Sequence, residues 1–99
     1  MVVKINKTSA AEADIAEAIN YLLANNPDAA SRFVSELKSL TRRLRQFPEL
    51  YPFQRRSSKP EWRQVRMAVL PHFGLLVFYT YEENIVVIRR VIHGARNEP

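Results

Sequence analysis

The last third of the chain holds two apolar runs, 73–81 and 85–92, parted by nothing longer than Glu82-Glu83-Asn84. So short a gap leaves no room for a crossover, and the two runs must pair as an antiparallel hairpin. A third run, 62–70, joins the first through Pro71-His72 and extends the hairpin to a three-stranded meander. Within it the side chains do not alternate between apolar and polar. Leu75, Val77, Tyr79 and Tyr81 point one way and Leu76 and Phe78 the other, while Ile85, Val87 and Val91 oppose Val86, Ile88 and Ile92. A sheet with one wet face would carry polar residues at every second position, so both faces of this one are expected to be covered.

Upstream, residues 2–6 read as a short first strand. Ser9-Ala10-Ala11-Glu12 reads as a capping box that opens a helix, with the Ser9 oxygen taking an orphan amide and Glu12 reaching back. Ile15, Ile19, Leu22 and Leu23 recur at helical spacing beside Ala16, and Glu12, Asp14, Glu17 and Asn20 occupy the other side. Asn25-Asn26-Pro27 closes this helix, because proline disfavours α geometry in the residue before it. The same segment opens a second helix, with Asn26 as cap and Pro27 in its first turn. The second helix carries Ala30, Phe33, Val34, Leu37, Leu40, Leu44 and Phe47 on one stripe, with Arg32, Glu36, Ser39 and Arg43 opposite, and stops at Pro48. Residues 49–60 form an irregular connection anchored by Tyr51 and Phe53. The expected fold is α+β in the order β-α-α-β-β-β, a helical hairpin on a mainly antiparallel four-stranded sheet, in one domain over residues 1–99. Two helices cover one face of such a sheet. The other falls to the long connection, with Tyr51, Phe53 and Trp62, or to a partner chain, and the partner chain is the preferred expectation.

The absence of cysteine removes disulfide and thiolate chemistry and fits a reducing, cytoplasmic setting. Met1-Val2-Val3-Lys4-Ile5-Asn6 lacks the apolar stretch of a signal peptide, and no run approaches the roughly 20 apolar residues that span a bilayer, so no membrane is expected. His72 and His93 are the only histidines, and no carboxylate pair stands at ligand spacing, so no metal is expected. Gly74 and Gly94 are too few for a phosphate-cradling loop, and no serine stands in a strand-to-helix elbow. No cofactor is expected.

The net charge of +5 is concentrated. Residues 42–66 hold Arg42, Arg43, Arg45, Arg55, Arg56, Lys59, Arg63 and Arg66 against only Glu49 and Glu61. Such a segment speeds encounter with a polyanion or an acidic protein, or is a solvated loop and a helix end matched to its dipole. Arg63, Arg66, Arg89, Arg90, His93 and Arg96 can converge on the transition state of RNA cleavage through the 2′-hydroxyl, with His93 moving the proton. They can equally be surface cations paired with Glu61, Glu82, Glu83 or Glu98, with His93 packed at a strand end.

Local patterns along nearly the whole chain resemble the ParE-like toxins of the RelE/ParE toxin–antitoxin superfamily. They are Ala13-Asp14-Ile15 with Tyr21, Ala29-Ala30 with Phe33, Leu44 with Pro48 and Tyr51-Pro52, Arg66, Pro71-His72-Phe73, Phe78-Tyr79, and Val91-Ile92-His93-Gly94-Ala95-Arg96. The resemblance implies a bacterial toxin that inhibits DNA gyrase. It implies neutralisation by a cognate antitoxin whose C-terminal segment wraps the toxin, and operator binding only through that complex. The target surface it implies comprises Arg63, Arg66, Arg90, His93 and Arg96, and the antitoxin surface Ile15, Ile19, Leu75, Val77 and Ile88, although the last three serve as well for core. The related RelE branch cuts mRNA on the ribosome, and here Arg66, His93 and Arg96 are the residues that would act. This chain departs from that branch, with Leu76 at the position of a strand-borne arginine and no tyrosine after Arg96. A further alternative is a non-toxic relic that only binds antitoxin.

Overall fold

The computed structural model describes residues 2–94. The chain runs β1 (Lys4–Lys7), α1 (Ser9–Asn25), α2 (Pro27–Gln46), a 3-10 turn (Pro60–Trp62), β2 (Arg66–Leu70), a second 3-10 turn (Pro71–Phe73), β3 (Leu75–Glu82) and β4 (Ile85–His93). The sheet order is β1-β4-β3-β2, with β1 parallel to β4 and the other pairs antiparallel. The expected β-α-α-β-β-β architecture is the observed one.

Local chemistry sets the boundaries and corrects several expected ones. Thr8, not Ser9, caps α1: its Oγ1 accepts the Ala11 amide at 3.0 Å and donates to the Arg89 carbonyl at 2.8 Å. The cap therefore also ties the helix to the sheet. Asn26 caps α2 as expected, its Oδ1 accepting the Ala29 amide at 3.3 Å with Pro27 in the first turn. Phe47, counted in the α2 stripe, lies past the last helical residue and is 59% exposed, and Leu23 of α1 is exposed as well. The third expected strand begins at Arg66 and not at residue 62, because Pro60–Trp62 winds into the 3-10 turn. β3 begins at Leu75 because Pro71–Phe73 turns and Gly74 takes the left-handed conformation, φ 63°, which a side chain would resist. Glu83 and Asn84 both have positive φ, the geometry of a two-residue hairpin turn whose twist suits the strands.

Phe33, Leu37, Leu40 and Leu44 of α2 press onto Val77, Tyr79, Val86, Ile88 and Val91 to form the larger core. Each such side chain, once buried, stabilises the fold by about 1.5–3 kcal/mol. Strict alternation would set Val91 opposite Val86 and Ile88. The register breaks that alternation, since Phe78 pairs Arg90 and Tyr79 pairs Ile88, leaving Arg89 as an extra residue. This bulge turns Val91 to the helix side with Val86 and Ile88, while Ile92 joins the opposite face.

Much of that opposite face is covered by the chain itself and not by the expected partner chain, while Val69, which pairs with Leu76, stays 46% exposed. Val65, Leu76, Phe78 and Ile92 form a second buried cluster, with Trp62 and Met67 packed against it. Trp62 meets Phe78 edge-on at 5.6 Å. Of the expected anchors, Tyr51 belongs instead to the helix side, edge-on to Tyr79 at 6.4 Å, and Phe53 lies beneath the Arg66 guanidinium, 4.2 Å from its ring centroid. What holds Trp62 in place is Gln54, 7% exposed. Its Nε2 donates to the carbonyls of Ser57 and Trp62, both at 2.9 Å, and its Oε1 accepts the amides of Arg56 and Ser57, both at 2.8 Å. One side-chain amide thus serves four backbone groups of the connection, of which the Trp62 carbonyl also accepts the Val65 amide at 3.3 Å. The same connection caps the start of the free edge of β2, through Gln54 N–H to Val65 O at 2.7 Å and Met67 N–H to Pro52 O at 3.0 Å.

Candidate functional site

Where α1 and α2 diverge from the ends of β3 and β4 they leave an open groove of about 920 Å³. Its apolar floor is Ala18 and Leu22 from α1, Phe73 from the turn, and Leu75 and Val91 from the sheet. Phe73 is fixed edge-on against Phe33 at 5.5 Å. Tyr21, 67% exposed, stands at the rim with Glu17, Arg32, His93 and the pair Glu36–His72, whose Oε1 and Nδ1 are 2.9 Å apart. An apolar floor with a few polar groups at its rim is built to receive a ligand with an apolar face. Among the described residues no three metal-ligating side chains converge, in the groove or elsewhere.

The residues expected to share one cationic surface are dispersed. Arg63 is exposed just after the first 3-10 turn. Arg66 is built into the fold: its Nη1 donates to the carbonyls of Tyr51 at 2.7 Å and Glu49 at 3.2 Å, and its Nη2 lies 3.7 Å from the Glu49 carboxylate. Arg90 is gripped by Asp14, Nε to Oδ2 at 2.7 Å and Nη2 to Oδ1 at 3.1 Å. These hydrogen bonds raise its pKa above the ordinary arginine range, so it stays charged. His93 sits at the groove, its ring against Gly74, where a Cβ would come within 3.3 Å of Nε2. Arg96 lies outside the described residues.

Registry keeps Arg66 and His93, two of the nuclease candidates, apart. Arg66 pairs with Tyr79 and His93 with Leu75, four residues along β3, or about 13 Å at 3.3 Å per residue. Of the residues assigned to an antitoxin surface, Leu75 lines the groove, and Ile15 and Ile19 are half-buried against the core. Val77 and Ile88 are 0% exposed beneath α2, so their assignment to a contact surface is corrected: they are core. Tyr21, Arg32, Glu36 and His72, which rim the groove, escaped the sequence reading as site residues. Only Tyr21 carried a signal, a large aromatic among the helix residues that also show Ala18 and Leu22.

A helical hairpin on this mixed sheet, open along one groove, places the molecule among small α+β proteins. The model of the family "ParE toxin of type II toxin-antitoxin system, parDE" matches residues 5–98, and the chain belongs to that family. In structure it is similar to the chromosomal ParDE TA system from P. aeruginosa, with a TM-score of 0.70 and 20% identity over 92% of this chain and 95% of that one. Likeness to the solution structure of the conserved hypothetical protein HP0894 from Helicobacter pylori has a TM-score of 0.49, with 23% identity over 90% of this chain and 91% of that one. No curated protein matches the chain in sequence. Among the described residues no helix is long and apolar enough to cross a membrane.

Proposed function

We propose that this toxin acts in the bacterial cytoplasm by binding DNA gyrase, without catalysis of its own. In this reading a segment of the cognate antitoxin fills the groove between the helices and the ends of β3 and β4. Operator DNA is then met by the assembled complex. The observation that carries the non-catalytic reading is the separation of Arg66 from His93 together with the engagement of Arg66 and Arg90 in backbone and carboxylate bonds. A phosphate transition state needs its charge and its proton carrier within about 3 Å of the reacting atoms, and these residues do not meet. The groove supports the antitoxin half, since its apolar floor and exposed Tyr21 suit an amphipathic segment.

Induced expression tests the target, with DNA and protein synthesis followed over the first minutes and purified gyrase assayed for supercoiling. DNA synthesis is expected to fall first, and gyrase to be inhibited without the protein cutting RNA. Earlier loss of protein synthesis, with cleaved mRNA, would move the assignment to a ribosome-dependent nuclease. Absence of arrest would leave the relic that only binds antitoxin. For the groove, Tyr21→Ala is expected to weaken antitoxin binding tenfold or more, the usual cost of truncating an aromatic anchor, on the order of 1.4–2 kcal/mol. Unchanged affinity would place the antitoxin elsewhere.

A further inference from the structure

Five exposed positions of α2 fall on one line: Ser31, Ser35, Lys38, Arg42 and Arg45. Steps of about four and three residues keep them within about 80° of arc, turned away from the stripe that Phe33, Leu37, Leu40 and Leu44 bury. Every one of the five carries a hydroxyl or a cation. The carboxylates of the helix stand off this line, Asp28 in the first turn and Glu36 on the groove side against His72. Among the described residues the Lys38 ammonium and the Arg45 guanidinium have no side-chain partner, and Arg42 gives one N–H to Ser39 Oγ at 3.0 Å. Lys38, Arg42 and Arg45 are also spaced so that like charges repel along a helix. The helix dipole accounts for Arg45 in the last turn but not for Lys38, two turns further in. Among the described residues no carboxylate offsets this arrangement, and an external polyanion would.

We propose that this face of α2 binds the phosphate backbone of double-stranded nucleic acid. From Lys38 to Arg45 the line spans about 10 Å at 1.5 Å per residue. A duplex lying along it presents about six phosphate charges over that length. The serine hydroxyls ahead of the cations are further donors to phosphate oxygens. The competing anions fit less well. Single strands are held by aromatic stacking, membranes by an apolar flank, and protein partners by an apolar or aromatic centre, and this line has none of these. It adjoins the groove only at Ser35, which leaves its cationic half clear when the groove is filled. The inference does not depend on the gyrase reading.

The test uses the full chain without antitoxin and a fluorescently labelled duplex of arbitrary sequence, read by anisotropy. Three phosphate contacts predict a log–log salt slope of about −2.7, or an affinity loss of about 40-fold from roughly 50 to roughly 200 mM salt. The variant Lys38→Gln/Arg42→Gln/Arg45→Gln is expected to lose tenfold or more in affinity and most of that slope. The control Lys4→Gln/Lys7→Gln/Arg55→Gln removes the same charge elsewhere and is expected to shift affinity less than threefold. All these side chains are exposed, and circular dichroism verifies that both variants fold. Equal loss in the two variants would mean attraction by net charge alone and would overturn the proposal. So would absence of binding at the lower salt, or equally tight binding to polyglutamate or to anionic vesicles.

Discussion

Asp14 and Arg90, 76 positions apart in the chain, form the joint that seats α1 on the sheet. The Asp14 carboxylate takes two guanidinium N–H groups of Arg90 and also the Val91 amide, at 2.9 Å. β1 runs beside β4 only as far as Ile88, so among the described residues the outer edge of β4 beyond it has no strand to pair with. The chain closes that edge by other means. Thr8 N–H donates to the Ile88 carbonyl, Thr8 Oγ1 to the Arg89 carbonyl, and Asp14 accepts from Val91. Asp14→Ala should therefore cost more than an ordinary surface ion pair, about 2–3 kcal/mol, since it strands an amide and a partly buried guanidinium together. Asp14→Asn keeps an acceptor for Val91 and should cost about 1 kcal/mol. Urea denaturation checks the order, and equal midpoints for the two variants would contradict it.

Gln54 predicts an isosteric defect. Gln54→Glu replaces the amide that donates to the Ser57 and Trp62 carbonyls with an oxygen that repels them. The expected loss is about 2–3 kcal/mol at neutral pH, with Trp62, the only tryptophan, moving away from Phe78 toward water. Red-shifted tryptophan emission at low denaturant would report it, and acid should restore part of the signal because a protonated carboxyl can donate again. Unshifted emission would mean that the connection is held by something other than this side chain.

At Gly74 the backbone is left-handed and the His93 ring is close by. Gly74→Ala should destabilise by about 1–2 kcal/mol from the backbone conformation alone. It should also shift the His93 ring resonances in an NMR spectrum, because the new methyl displaces that ring. Stability equal to the parent would mean that the turn relaxes without strain.

Tyr79 is buried and donates to the Pro48 carbonyl at 2.9 Å. Burial is the main cause that pushes its pKa up, against smaller opposing effects of Tyr51 and the Arg66 charge. Its contribution to stability is complete below the usual tyrosine value of about 10. Above that pH the unfolded chain ionises first, so the contribution declines until the folded hydroxyl ionises as well. Tyr79→Phe should cost about 1 kcal/mol at neutral pH through the lost bond. The gap between parent and variant should narrow above that range. Denaturation midpoints across the alkaline range check the sign, and a widening gap would refute it.

The amino-acid sequence by itself determined the element types and their order. Periodicity, proline placement and the shortness of two turns are local, and they act before any distant contact forms. Pro27 after Asn26, the α2 stripe from Ala30 to Leu44, and the gap at Glu83-Asn84 each leave one outcome. Tertiary structure decided what depends on partners far along the chain. A single extra residue at Arg89 moved Val91 to the helix face, because bulges arise from pairing between strands and have no local signature here. Thr8 displaced Ser9 as cap because its hydroxyl also reaches the Arg89 carbonyl. Arg66 and Arg90, read in the sequence as cations of a target surface or as surface partners of Glu61, Glu82, Glu83 or Glu98, are bound into the fold by other groups, since Tyr51, Glu49 and Asp14 come to them only when the chain is folded. The second apolar face was legible, and the long connection with Trp62 stood as one of its two expected covers. The choice between that and a partner chain was not legible, because it turns on one buried amide, Gln54, which shapes the connection that carries Trp62 across the face.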